Sequence, residues 1–250
     1  MKIGITGAEG RIGGFLRSGL DPKYKIKSFT LAPQAFESTV ADVSDASSMP
    51  GKFEGLQAVI HLAGDPSPTG SWESMLRNNI IGTFNVLEEA RRSGVKKVIF
   101  ASTNHTQHGE TMTDSPNELD MSKRVMLRLG DYFNPSSIYG ASKATGEIYG
   151  RLFARKHGVQ FVAMRIGAIG NDDTPLRAVG TPGENYVRAM YLSRRDLITA
   201  FTKALEIDRE FTVAYAVSNN GRRIFDLRET NEVLGFYPQD DAETFFAGQK

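Results

Sequence analysis

Short apolar runs alternate along the chain with longer stretches in which apolar residues recur every three or four positions. Ile3 to Thr6, Tyr24 to Leu31, Gln57 to Leu62, Lys97 to Ala101 and Gln160 to Ile166 are too short for helices and read as strands. Between them, Arg11 to Gly19 reads as a helix. Met75, Ile80, Phe84, Leu87 and Ala90 lay an apolar stripe along Trp72 to Arg92, and Ile148, Leu152 and Phe153 do the same in Ser142 to His157, where Gly158 supplies a stop. Strand and helix alternating in this way predict a doubly wound α/β fold around a parallel sheet. Beyond Gly170 the pattern changes. Residues 171–185 are rich in Gly, Pro, Asp and Thr and read as a loop, followed by a helix near Leu192 to Leu205, a strand at Thr212 to Val217 and a short helix near Arg228 to Leu234. Residues 1–170 thus form the main unit, and 171–250 a small substrate-binding extension, not independent, expected to pack over the open end of the sheet.

The turn after the first strand reads Gly7-Ala-Glu-Gly10-Arg-Ile-Gly13. In this context Gly7 permits a tight turn, Gly10 lets the backbone approach a pyrophosphate, and Gly13 allows close helix packing. The N–H groups at the helix start, around Arg11 and Ile12, favour negative charge. Residues 1–170 therefore read as a dinucleotide-binding domain of the Rossmann type. Such domains often carry an acid about 20 residues beyond the glycines to hold the adenosine ribose, but Thr30-Leu31-Ala32 stands there and offers none. Asp42 comes later and can either contact the adenine side or cap the segment from Asp45. The missing acid leaves NADP open beside NAD, with Arg11 or Lys27 as a phosphate partner.

Composition narrows the classes. Lys and Arg total 30 against 29 Asp and Glu in 250 residues, so no net field points to nucleic acid or an anionic membrane, and any attraction for an anion must be local. The absence of cysteine excludes disulfides, thiolate nucleophiles and cysteine metal sites. No run approaches membrane-spanning length, and a soluble, cytoplasmic protein is expected.

Tyr139-Gly-Ala-Ser-Lys143 carries the candidate chemistry. Residues four apart share a helical face, so the two side chains meet if the helix begins near Ser137. A nearby ammonium lowers the phenol pKa from about 10 and makes tyrosine a usable acid or base; the lysine can also bond a nicotinamide ribose. The alternative is a surface tyrosine beside a solvated lysine.

The glycine spacing, Asp42-Val43, His61-Leu62-Ala63-Gly64, Asn79-Ile80-Ile81-Gly82-Thr83, the strand end Ala101-Ser102-Thr103, the Tyr139/Lys143 pair and Arg165-Ile166-Gly167 together resemble the extended short-chain dehydrogenase/reductase superfamily, in its NAD-dependent epimerase/dehydratase branch, over residues 1 to about 170. Within it, Ala101-Ser102-Thr103-Asn104-His105-Thr106 looks most like uronate dehydrogenases and related sugar-phosphate dehydrogenases. The resemblance implies an NAD-dependent oxidoreductase that oxidises C1 of a sugar, a uronic acid or a sugar phosphate, to a lactone. It implies Tyr139 as base, Lys143 as its electrostatic partner and Thr103 as the hydroxyl beside it. Gly7, Gly10, Arg11, Ile12, Gly13, Asp42, Val43, Leu62, Ala63, Gly64, Asn79, Ala101 and Ile166, with Tyr139 and Lys143, would hold the cofactor. Asn104 and His105 would meet sugar hydroxyls, with Ser67 on the opposite wall. His61 reads as a strand residue. His105, His108 and Glu110 lack sharp ligand spacing, and no metal is expected.

Two departures affect the substrate. Ala168 stands where such a dehydrogenase is expected to offer a serine, and the loop through Glu184 is longer. Arg177, Arg188, Arg194 and Arg195 follow; a guanidinium fork binds carboxylate or phosphate, and Arg188 is the expected anchor of an anionic sugar. A nucleotide-sugar epimerase or dehydratase, and a non-catalytic NAD(P)-binding sensor, are the alternative functions. A homodimer through the helices of Trp72 to Arg92 and Ser142 to His157 is expected from the superfamily.

Overall fold

The structure, a computed structural model, describes residues 1–109 and 126–247. Seven strands, β1 (Lys2–Thr6), β2 (Lys25–Thr30), β3 (Thr39–Val40), β4 (Ala58–His61), β5 (Lys97–Thr103), β6 (Gln160–Ile166) and β7 (Phe211–Ala216), form one sheet in the order β3-β2-β1-β4-β5-β6-β7. Every pairing is parallel, which is the doubly wound arrangement expected. β5 is buried along its whole length, so its apolar run has no solvent face to alternate toward.

The helices divide between the two faces. Leu16 of α1 (Arg11–Gly19) packs on one side with Leu197 and Phe201 of a later helix, against Ile3, Ile5, Ile99 and Val162. On the other face Val86 and Leu87 pack with Phe153, Phe100 and Phe161. The stretch expected as one helix from Trp72 to Arg92 is divided into α2 (Trp72–Ser74), a π-helical segment (Met75–Ile81) and α3 (Gly82–Arg92). The widened turns carry Asn79 inward, where it donates to Ser142 Oγ at 2.9 Å and accepts from the Asp65 N–H at 2.7 Å. α4 (Ile138–His157) starts earlier than its apolar spacing suggests, because Ser137 caps it through the Gly140 N–H, and Gly158 ends it in the left-handed region as expected.

The extension is built into the sheet. It supplies α5 (Glu184–Met190), α6 (Arg194–Glu206), β7, α7 (Arg228–Leu234) and α8 (Glu243–Phe246). β7 joins the edge of β6, and Lys97 at the start of β5 donates to the carbonyls of Ala204, Leu205 and Ile207 at the C-terminal end of α6. Buried Asn220 donates to the carbonyls of Ala189 and Tyr191 and accepts from the Ala242 N–H, tying α5 to the chain's last segment. Met190, Tyr215, Val217 and Phe225 make a third apolar cluster there.

Candidate active site

A cleft of about 950 Å³ runs along the C-terminal ends of β1, β4, β5 and β6, where a doubly wound sheet changes direction and ligands settle. One end is the glycine turn. Gly7 has a φ of +66°, and a Cβ there would lie 2.7 Å from the Ala63 nitrogen; a Cβ on Gly13 would lie 2.7 Å from Ala8 Cα and from the carbonyls of Gly7 and Ala8. Packing inside the protein therefore requires both glycines. At Gly10 a Cβ would meet only the Gly7 carbonyl, at 3.3 Å, so this glycine keeps space clear on the cleft side. The turn and the start of α1 thus fit a pyrophosphate: a cradle that side chains would fill, closed by helix N–H groups.

The other end holds the candidate proton-transfer residues. Ser137 starts α4 so that Tyr139 and Lys143 lie one turn apart, with Lys143 Nζ 6.0 Å from the Tyr139 ring centre and 5.0 Å from that of Phe100. Thr103 ends β5, and its side chain hydrogen-bonds the Tyr139 phenol. Burial pushes the phenol pKa up, the Thr103 bond opposes this, and the Asp65 charge adds to the rise. Burial brings Lys143 down to about 8, with Asp65 opposing. Burial, and not the expected lowering of the phenol by the ammonium, is thus the largest influence on both groups in the protein alone.

Beneath the pair, the Glu147 carboxylate of α4 takes two bonds from Arg165 of β6, at 3.0 and 2.8 Å, and one from Ser102 at 2.5 Å. This ion pair, both members at most 3% exposed, locks α4 to the two strands that carry Thr103 and Ile166. Removing one partner would leave a buried charge uncompensated.

Gly7, Gly10, Arg11, Ile12, Gly13, Asp42, Val43, Leu62, Ala63, Gly64, Ala101, Thr103, Asn104, His105, Tyr139, Lys143 and Ile166 all line the cleft. Asp42 Oδ1 accepts from the Ser44 N–H and hydroxyl, whereas Asp45 is the cap of the short 46–48 turn. Asn79 stands behind the wall; a Cβ on Gly64 would come within 2.8 Å of its Oδ1. Ser67 also stands off the cleft, its hydroxyl turned to Thr69 at 3.3 Å, while Pro66 and Pro68 line it. His61 is a buried strand residue, bonded to Thr6 and Thr83. Glu110 lies outside the described residues.

Arg188 is not brought to the cleft. Its guanidinium bonds Glu184 at 3.0 Å and Glu243 at 2.8 Å and lies over the Phe246 ring, so its fork is occupied by carboxylates of the protein. Arg194 donates to Ser18, and Arg195 to Asp240. Of the four, Arg177 lines the cleft; both it and Arg11 donate to the Ile169 carbonyl, at 3.3 and 2.7 Å.

Glu9, Asp65 and Tyr186 are among the lining residues to which the sequence assigned no role. Tyr186, on α5, accepts from Asn104 Nδ2 at 2.8 Å and meets His105 Nε2 at 3.2 Å. His105 Nδ1 contacts Ser136 Oγ at 2.9 Å. Burial brings His105 down to about 4, with the neighbouring His108 adding to the fall, and pushes Tyr186 up to about 12. The wall facing Tyr139 is thus made of neutral hydrogen-bonding groups. An aromatic placed next to Asn185 after a Gly/Pro loop was the sole hint of it.

The NAD dependent epimerase/dehydratase family pattern matches residues 3–170. The chain is 35% identical to an NAD-dependent glucose-6-phosphate dehydrogenase of Haloferax volcanii, over 98% of this chain and 96% of that protein. It is 31% identical to an L-arabinose 1-dehydrogenase (NAD(P)(+)) of the same organism, over 97% and 98%. A uronate dehydrogenase of Pseudomonas putida is 32% identical, over 98% and 87%. Among solved structures, a mutant uronate dehydrogenase from Agrobacterium tumefaciens complexed with NAD superposes with a TM-score of 0.82 at 25% identity, covering 98% of this chain and 87% of that one. With the glycine cradle at one end of the cleft and the Tyr139/Lys143 pair at the other, the chain belongs to the NAD dependent epimerase/dehydratase family.

Proposed function

We propose that this protein oxidises a sugar at C1 with NAD and releases a lactone. The observation that carries this reading is the meeting of Thr103, Tyr139 and Lys143 at the end of a cleft whose far end is a pyrophosphate cradle. Bound NAD supplies the hydride acceptor. Tyr139, once deprotonated, takes the proton of the C1 hydroxyl as the C1–H bond breaks and the ring carbon becomes a carbonyl. Thr103 holds that hydroxyl in line, and the Lys143 ammonium favours the phenolate. Asn104, His105 and Tyr186 offer neutral donors and acceptors to the remaining sugar hydroxyls.

An anionic substituent on the sugar would face Arg177, the member of the arginine cluster that reaches the cleft. Arg188 would then act at a distance, by holding α5, and with it Tyr186, to Glu243. A dimer through α3 and α4 is supported by Phe84 and Ile148, apolar side chains 44% and 57% exposed on those helices.

The test is a panel of glucose 6-phosphate, L-arabinose and glucuronate with NAD, followed by absorbance of the reduced nicotinamide, with Tyr139→Phe in parallel. Wild-type turnover of at least one sugar is expected, lost in the variant while its NAD affinity stays within a few-fold. A wild type that binds NAD and oxidises none of them overturns the reading.

A further inference from the structure

We propose that Glu9 selects NAD over NADP, supplying from inside the glycine turn the carboxylate that the end of β2 lacks. Thr30, Leu31 and Ala32 at the end of β2 are not acids, and Glu37, later in the loop to β3, does not line the cleft. Thr30 is buried and donates to the Ala32 carbonyl at 2.9 Å and to Ser38 at 3.1 Å, so it turns away from the cleft. Glu9 stands in its place. One carboxylate oxygen of Glu9 accepts from the backbone N–H of Leu31, the first residue past β2, at 2.9 Å, and both residues line the adenosine end of the cleft. Among the described residues this is the one hydrogen bond Glu9 makes, and it belongs to no ion pair. The second oxygen is left to accept from ribose hydroxyls. The β2 backbone thus fixes a charge that the sequence carries on a neighbouring turn.

A carboxylate held here accepts from an unmodified ribose and repels a 2′-phosphate. Among the described residues the cations near this end are engaged elsewhere: Arg17 donates to the Ala8 carbonyl at 3.0 Å and lies over the Phe36 ring. Lys27 donates to the Lys52 carbonyl at 3.1 Å and lies over Phe29. Arg11 is drawn across to Asn171 and the Ile169 carbonyl, on the extension. The other carboxylate at this end, Asp42, has one oxygen engaged twice by Ser44. A unit charge facing a phosphate of nearly two charges, a few ångströms away and exposed to water, shifts affinity by about tenfold or more.

Direct binding separates this charge from any effect on turnover. The dissociation constants of NAD and NADP are measured by calorimetry on the wild type, Glu9→Gln and Asp42→Asn, at low and high salt. Glutamine keeps an oxygen for the Leu31 N–H and removes only the charge. Glu9→Gln is expected to tighten NADP about tenfold or more while NAD weakens no more than about threefold, and the gap between the proteins should narrow at high salt. An NAD/NADP ratio unchanged by Glu9→Gln, or moved further by Asp42→Asn, overturns the assignment. Equal losses of both cofactors in Glu9→Gln also overturn it, since the side chain would then act through the turn alone.

Discussion

Two adjacent glycines of α1 can separate what the cradle needs from what a helix tolerates. Replacing either Gly13 or Gly14 by alanine removes the same intrinsic handicap, about 0.8–1 kcal/mol in a helix interior. At Gly14 a Cβ would meet nothing within 4 Å, so Gly14→Ala should be stabilising by about 0.5–1 kcal/mol. At Gly13 the three atoms 2.7 Å away all belong to the backbone of the turn, Ala8 Cα, Ala8 O and Gly7 O. No side chain can rotate aside, so α1 must back away from β1, an overpacking cost of about 1–3 kcal/mol. The net effect at Gly13 is destabilisation of up to about 2 kcal/mol. In a chain of this size 1 kcal/mol moves Tm by about 2–4 °C, so the two variants should melt on opposite sides of the wild type. NAD affinity should fall in Gly13→Ala, because the N–H groups at the start of α1 move with the helix, and hold in Gly14→Ala. Differential scanning fluorimetry and calorimetry give both readouts. A Gly13→Ala protein that melts with Gly14→Ala and binds NAD like the wild type would refute the claim that close packing of α1 on the turn builds the cradle.

Tyr186→Phe removes the hydroxyl shared by Asn104 and His105 and should raise the sugar KM about tenfold, the cost of one neutral hydrogen bond with its partners left unpaired; a KM that fell would make the phenol a plug that the sugar displaces. Burial, with the Lys143 charge adding to it, brings His61 down to about 3, whereas the unfolded ring titrates near about 6.5. The stability linked to this ring is therefore complete above about pH 6.5 and declines as the pH falls toward about 3, by up to about 1.4 kcal/mol per pH unit. Thermal melts from about pH 8 to 4 should show a flatter slope in His61→Gln, and equal slopes would remove His61 as the source.

Most of the architecture was legible because a parallel sheet buried on both faces writes itself as short apolar runs. Ile3 to Thr6 and Gln160 to Ile166 correspond to β1 and β6 within one residue. Thr39 and Val40 were missed as a strand, two residues being too few to show a period. The π-helical turns at Met75–Ile81 were equally hidden, since the apolar stripe runs through them unbroken, and what they accomplish is to turn Asn79 toward Asp65 and Ser142. The glycine turn and the Tyr139/Lys143 pair were readable because spacing along one element fixes their geometry. Arg188 was not, because an arginine's partner comes from elsewhere in the chain: Glu243 lies 55 positions away. Tyr186 and Glu9 escaped for the same reason, each acquiring its role from a contact with a distant segment.

The position of β7 bears on how the chain reaches its fold during synthesis. Residues 1–166 hold the glycine turn, the Tyr139/Lys143 pair and six of the seven strands, yet β6 ends that stretch as an open edge with the largely apolar sequence Gln160-Phe-Val-Ala-Met-Arg-Ile166. Its covering strand, Phe211–Ala216, leaves the ribosome only after α5 and α6 have been made. In that interval an unpaired, uncharged edge faces the crowded cell, the kind of template on which nascent chains join one another. Arg165 is the lone charge in β6, and its pairing with Glu147 draws it inward, so the edge has no outward gatekeeper. Aggregation of this protein should therefore depend on how fast the last third of the chain is delivered, and slow codons between 171 and 210 should lower its soluble yield while leaving the stability of the finished molecule untouched.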